Sequence, residues 1–297
     1  MTKSRDDAKL LTTGPSKRGW HRLQLAAECL QKYAWTYKAP QQPEAAPKDS
    51  ALFGTKSPAL SKGSLIHLAL AHHYMRMKAV QEGTDPEEWV EPLEAVELIA
   101  RLNGATEYIS LLSRVYEAYV DHWEGEEWQM KILDVEVLFE TRIMGKYLLT
   151  GRIDLMFEDL DGRIWVNDHK TSSRVTPEHK EFYALSGQLI GYQHLVRQKY
   201  GARLAGMKLN LVQVSTEPKF ERITLQRSPA FESNFEQIVV DIEESIERME
   251  TSGRTYDNWP KAMNELTCKS RYSTCEFADQ CRFGAGAKKA GGWSWEG

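Results

Sequence analysis

Three side chains in the stretch Gly151–Lys170, GRIDLMFEDLDGRIWVNDHK, have the types and spacing for hydrolytic chemistry: Asp154, Asp168 and Lys170. Apolar residues crowd both sides of a polar run from Glu158 to Gly162, which predicts two strands joined by a turn. Pairing Glu158 with Arg163 or Ile164 sets Asp154 opposite Asp168, within one residue, so two carboxylates face each other across a hairpin. Asp168 and Lys170 are two apart, and strand side chains repeat every second residue, so acid and amine share a face. Two hard oxygen ligands can hold Mg²⁺ or Mn²⁺, while a nearby ammonium orients a water and balances phosphate charge. The residues alone leave a second reading open, in which the acids are solvated beside a turn and Lys170 pairs with one of them at the surface.

The elements that must position this set follow from periodicity. A helix is expected from Ser16 to about Tyr37, with Cys29 riding on it, then a proline-broken linker over residues 39–62 carrying Pro40, Pro43, Pro47 and Pro58. A second helix should begin near Ser61 to Ser64 and carry His67 in its first turns. Asp85 to Trp128 reads as a helical, acidic insertion in which Val115, Tyr119 and Trp123 form an ordinary packing stripe. The period then changes to two. Strands are expected over Ile132–Thr141, Lys146–Phe157 and Arg163–Lys170. A helix opens at Thr176-Pro177 and closes at Gly201, a strand follows over Met207–Ser215, and an amphipathic helix covers about Pro229 to Glu250. Residues 1–15 read as disordered or extended, and the glycine-rich end GAGAKKAGGWSWEG as a flexible tail.

The 297-residue chain can bury a sizeable core, and 41% hydrophobic with 27% charged residues is ordinary for a soluble globular protein. No apolar run approaches the roughly 20 residues that span a bilayer, and MTKSRDDAKLLTTG lacks a signal-peptide core, so the expected location is cytoplasmic, with no membrane partner. A net charge of −4 argues against wholesale electrostatic binding of nucleic acid but leaves room for a local basic groove. No Ser-His-Asp order, P-loop or GxGxxG suggests a different chemistry. Four cysteines, Cys29, Cys268, Cys275 and Cys281, read in a reducing compartment as a shared metal or cluster rather than disulfides.

Four motifs in chain order, with one cysteine before them and three after, resemble the PD-(D/E)XK nuclease superfamily. They are GSLIH ending at His67, GRID ending at Asp154, DHK from Asp168 to Lys170, and QLIGY from Gln188 to Tyr192. Within the superfamily the chain looks like the RecB-like exonucleases that carry an iron–sulfur cluster, including CRISPR-adaptation nucleases and AddB-type nuclease domains. The likeness runs from about Trp20 to Cys281, apart from the helical insertion. It implies an α/β, restriction-endonuclease-like core of order αβββαβ over residues 63–250, with the insertion at about 85–128. Residues 1–62 would carry the first cluster cysteine, and residues 251–297 the other three and a tail.

The resemblance also implies roles. His67, Asp154, Asp168 and the backbone carbonyl of His169 would ligate the metal. Lys170 would hold the attacking water or help lower its pKa, and Gln188 and Tyr192, one helical turn apart, would touch a phosphate or the lysine. An imidazole beside carboxylates favours Mn²⁺ more than an all-oxygen shell does. Read without the resemblance, His67 is a packed or exposed residue like its neighbours His72 and His73. Glu136 and Glu140 are possible further acids, read here as solvated strand positions.

By resemblance the four cysteines hold a [4Fe–4S] cluster. A Cys₄ zinc site needs the same ligand count, and the residues by themselves do not separate the two. Five residues lie between Cys275 and Cys281, as in the family, whereas the six between Cys268 and Cys275 exceed its usual spacing, and Tyr272 stands where a middle cysteine would fall. Either metal would staple two segments about 240 residues apart, a structural role. Lys17, Arg18, Arg22, Arg271, Arg282, Lys288 and Lys289, with Trp20, Tyr272 and Phe283, would form a strand-binding surface or simply a solvated one. The function expected is a metal-dependent DNA exonuclease acting on single strands or duplex ends through a metal-activated water, in recombination, repair or CRISPR adaptation, with protein partners from those pathways. The alternatives are a non-cleaving nucleic-acid-binding or assembly subunit of the same fold and a structure-specific endonuclease.

Overall fold

The computed structural model describes residues 8–11, 13–14, 16–38, 58–225, 227–269 and 274–284. Pro40, Pro43, Pro47, Arg271, Tyr272, Lys288, Lys289 and the tail after Gly284 lie outside the described residues. The helices are α1 (Trp20–Glu28), α2 (Leu30–Tyr37), α3 (Pro58–Gln81), α4 (Pro92–Leu102), α5 (Ile109–Glu127), α6 (Glu178–Ala184), α7 (Gly187–Tyr200), α8 (Pro229–Ser233), α9 (Phe235–Thr251), α10 (Glu265–Cys268) and α11 (Ala278–Phe283). The strands are β1 (Lys131–Ile143), β2 (Tyr147–Glu158), β3 (Ile164–Ser172), β4 (Leu204–Gln213) and β5 (Phe220–Leu225). The result is a mixed α/β fold in two compact units, one within Met1–Trp20 and Ala45–Phe235, the other within His21–Glu44 and Glu236–Gly297.

The first unit is built on a five-stranded sheet of order β1-β2-β3-β4-β5. All neighbours are antiparallel except β3 and β4, which run parallel and are joined through α6 and α7, the long crossover that a parallel pair requires. The β2–β3 hairpin closes where the polar run predicts. Asp159 Oδ1 accepts the backbone N–H groups of Asp161 (3.0 Å) and Arg163 (2.9 Å), and Gly162 takes the left-handed φ of +75° that a side chain would resist. Glu158 consequently pairs with Ile164. Along the sheet, Ile132, Val135, Leu155, Phe157 and Val212 share one core with Leu65, Tyr74, Val96, Leu112 and Tyr119 of α3 to α5. Helix α7 lies against β1 through β4.

Several boundaries differ from expectation for local reasons. The helix expected over residues 16–37 is broken at Cys29, whose extended backbone (φ −164°, ψ 110°) and Sγ, accepting from Lys32 N, make it the N-cap of α2 rather than a helical residue. The Thr176–Gly201 helix is two helices. Ser186, extended at ψ 117°, starts α7 afresh, and the Trp20 ring occupies the space a Cβ on Gly187 would need. Helix α3 starts at Pro58, inside the expected linker, and β5 was absent from the expected order. The second unit has a small core of Ala26, Tyr33, Ala34, Ile246 and Trp259, sealed by Leu30, Ile242 and Met249. Arg22 is buried there against Glu243 and donates to the Tyr33 hydroxyl at 3.0 Å, so it is no part of a strand-binding surface. Trp20 is likewise spent on packing, against Phe235 at 5.5 Å between centroids.

Candidate active site

The β2–β3 ladder runs from Glu158 opposite Ile164 to Leu155 opposite Asn167 and stops there. One step further the strands part, and backbone pairing is replaced by a side chain: Asp154 Oδ2 accepts the His169 N–H at 2.8 Å. The N–H and C=O of one strand residue leave by the same edge, so the His169 carbonyl opens toward the gap that holds Asp154. Asp168, 1% exposed, projects beside this gap. Its Oδ2 lies 2.7 Å from Lys170 Nζ, as the two-residue spacing requires. Lys170 also donates to Gln188 Oε1 at 3.1 Å, and Gln188 Nε2 donates to the Tyr192 hydroxyl at 2.9 Å, so both α7 residues reach the lysine in series. From α3, His67 Nδ1 comes to 3.6 Å of Asp154 Oδ2. The fold thus brings together His67, Asp154, Asp168, His169, Lys170, Gln188 and Tyr192.

A further carboxylate joins them. Val135 pairs with Leu155 and Val137 with Ile153, which sets Glu136 opposite Asp154. Glu136 is buried at a left-handed φ of +50°, a strained backbone for a residue with a side chain, whereas Glu140 is exposed as expected. The same period of two that sets Asp154 against Asp168 sets Glu136 against Asp154 one strand further on.

The electrostatics describe a buried excess of negative charge. Burial pushes the Asp154 carboxyl up to about 6, although Lys170 and the His169 N–H pull it down. Asp168 is also raised to about 6, by burial and the Asp154 charge against the pull of Lys170. Glu136 is pushed up to about 9 by burial, with Asp154 and Asp168 adding and Arg152 opposing. Burial lowers Lys170, but Asp168 and Asp154 outweigh it and the ammonium is held above its ordinary value. Burial and Lys170 pull His67 down to about 4, against Asp168 and a hydrogen bond to the His169 backbone, leaving a neutral imidazole.

The donors of this site, carboxylates, an imidazole and a peptide carbonyl, fit a divalent cation. As the side chains stand, no group of three or more His, Cys, Asp or Glu among the described residues is arranged to hold a metal ion. Two ligands at right angles, each about 2.1 Å from one ion, are about 3 Å apart. The His67–Asp154 separation of 3.6 Å therefore needs to close by about 0.6 Å.

Beside Lys170, α6 presents residues that periodicity did not single out. Tyr183 is close enough to Lys170 and Asp168 for their charges to act on its phenol. Its ring meets Phe182 edge-on at 5.0 Å, and Phe182 and Leu185 are each 72% exposed. Arg227 ties the segment down by donating to the carbonyls of Ala184 (2.8 Å) and Tyr183 (3.2 Å).

In the second unit all four cysteines are free thiols. The Cys275 N–H donates to the Cys268 carbonyl at 2.8 Å, and Lys261 Nζ to the Cys281 carbonyl at 3.3 Å. The Cys281 thiol is raised by burial; Lys261 opposes the shift, while Cys29, Cys275 and Cys268 all add to it, so the other three sulfurs lie within electrostatic reach.

The sequence model of the PD-(D/E)XK nuclease superfamily matches residues 20–282. No curated protein matches the chain significantly. Among solved structures, a nominal exonuclease from Eubacterium rectale is 16% identical, covering 79% of this chain and 77% of its own, at a TM-score of 0.46. The protein SSO0001 is 19% identical over 60% of this chain and 74% of its own, at 0.28. No helix among the described residues is long and apolar enough to cross a membrane.

Proposed function

The chain belongs to the PD-(D/E)XK nuclease superfamily, and from that premise we propose that it is a divalent-metal-dependent DNA exonuclease working at the β2–β3 gap. The observation that carries the reading is the buried meeting of Asp154, Asp168 and Lys170 where the hairpin opens, with His67 at 3.6 Å from Asp154. His67, Asp154, Asp168 and the His169 carbonyl would hold the ion, with Glu136 as an additional acid. When bound, Mg²⁺ or Mn²⁺ supplies a Lewis acid for the scissile phosphate and lowers the pKa of water.

The chain's own part is positioning and charge. Lys170, fixed between Asp168 and Gln188, holds its ammonium where it can orient a water and offset charge building on the phosphate. Tyr192 keeps Gln188, and through it the lysine, from swinging away. Phe182, exposed and in ring contact with Tyr183 near the lysine, offers a face on which an unpaired base can stack, and exposed Leu185 adds apolar surface, which supports single strands or frayed ends as substrate. The test is end-labelled linear and circular DNA, single- and double-stranded, with and without Mn²⁺. Metal-dependent shortening of linear strands with circles spared is expected. Cleaved circles would make the protein an endonuclease, and inert linear DNA would sink the nuclease reading.

We also propose that Cys29, Cys268, Cys275 and Cys281 hold a [4Fe–4S] cluster that orders the second unit. Support comes from the four free thiols and from the reach of the other three sulfurs to Cys281. Iron and sulfide analysis of anaerobically purified protein decides it, and stoichiometric zinc without iron overturns it.

A further inference from the structure

His169 stands between two proposed ligand positions in sequence, yet its side chain points away from Asp168 and Lys170, as alternation in a strand demands. It enters a buried polar chain. The His169 ring stacks on Tyr74, with centroids 5.7 Å apart and planes within 6°. Its Nδ1 bonds the Asn210 side-chain amide at 2.7 Å, and the same amide donates to the Tyr119 hydroxyl at 2.8 Å. That hydroxyl is held in turn by Arg222 Nη2 (3.0 Å) and the Tyr74 hydroxyl (2.7 Å), and Arg222 is paired with buried Glu127. Tyr74, Tyr119, Asn210 and His169 are at most 2% exposed.

A chain of this kind is costly to bury unless its members hold one another, and the bonds it makes restrict its arrangement, although His169 Nε2 and Asn210 Oδ1 find no partner within it. Its end is a residue whose N–H holds Asp154 at 2.8 Å. We propose that Tyr119 and Asn210 are positioning residues for the metal site: by fixing the His169 side chain they fix the rotation of its peptide, and the peptide sets Asp154 and its own carbonyl. The α5 insertion would thereby serve the site through Tyr119, beyond its part in the core. This rests on the metal-dependent nuclease reading above.

The experiment uses the full chain and three variants: Tyr119→Phe, Asn210→Leu, and Tyr116→Phe as a matched control. Tyr116 also loses one hydroxyl, half-buried and bonded to His73 Nδ1 at 3.1 Å; it reaches the chain only through His73 and Glu127 and does not touch His169. Mn²⁺ affinity is read from the electron paramagnetic resonance of free Mn²⁺, alongside Tm and the kcat and KM on linear single-stranded DNA. Tyr119→Phe and Asn210→Leu should bind Mn²⁺ about tenfold more weakly, with kcat lowered and KM for DNA unchanged, while Tyr116→Phe stays within about twofold of wild type. Should Asn210→Leu fail to fold, Tyr119→Phe decides. Wild-type affinity in Tyr119→Phe, or an equal loss in Tyr116→Phe, overturns the proposal and leaves the nuclease reading standing. A wild-type protein that neither binds Mn²⁺ nor cuts DNA overturns both.

Discussion

The two chemistry-bearing regions of this protein are held by different means. Around β3 the candidate active site is organised by the fold itself: strands on both sides, α7 against them, and hydrogen bonds from the His169 N–H to Asp154 and from Lys170 to Gln188 that need no ion. The cysteine region has helices of four and six residues, a small core, and thiols that are half-buried or exposed. A preorganised site can lose its metal and stay folded, whereas a segment with little apolar burial takes much of its order from the metal.

The largest effect expected from that contrast is at β3. Asp168→Asn should abolish metal-dependent cleavage, by about a thousandfold or more, with the protein still folded, since Asp154 remains to balance the buried Lys170 ammonium. Cleavage assays paired with thermal melts measure it, and a collapse of Tm would erase the contrast. Cys281→Ser should do the reverse, costing several kcal/mol of stability through lost metal and exposing the second unit to proteolysis. Limited proteolysis followed by mass mapping shows whether cuts cluster after Glu236.

Acid should act on the first unit through His72. Burial holds its imidazole down at about 4, and both nitrogens are committed: Nε2 accepts the Leu11 N–H at 3.0 Å and Nδ1 donates to the Val90 carbonyl at 2.8 Å. A folded pKa below the unfolded 6.5 means that the stabilisation is complete above 6.5 and is lost as pH falls toward 4, at up to about 1.4 kcal/mol per pH unit. His72→Gln should flatten the pH dependence of urea stability in that window, and an unchanged slope would rule His72 out. The smallest effect belongs to Phe182→Ala, which should raise KM for single-stranded DNA about fivefold or more with kcat unchanged. Equal kinetics on single-stranded substrates would mean that the exposed ring touches no base.

Legibility of the site in the sequence followed from how local each relation is. The Asp154–Asp168 pairing and the shared face of Asp168 and Lys170 follow from a turn and a period of two, and the ladder register agrees with both. Glu136 read as solvated because one strand shows alternation but not whether its neighbours leave water outside. Tyr119 read as packing, correctly for its ring. Its hydroxyl's partner, Asn210, is 91 residues away on β4, a distance no period reports. Cys29 read as helical because apolar spacing runs through it, yet a capping sulfur stopped the helix there.

The amino-acid order therefore determined, by itself, which residues could meet across a hairpin and which share a helix face, because strand and helix geometry is set within a few residues. The membership shown by the family match agrees with that reading. Only the tertiary structure decided how deeply the acids are buried, that three carboxyl groups rather than two crowd the gap, and that a buried chain of side chains ends at His169. Each of these depends on segments brought together from far apart, and dielectric and exposure exist only once they have packed.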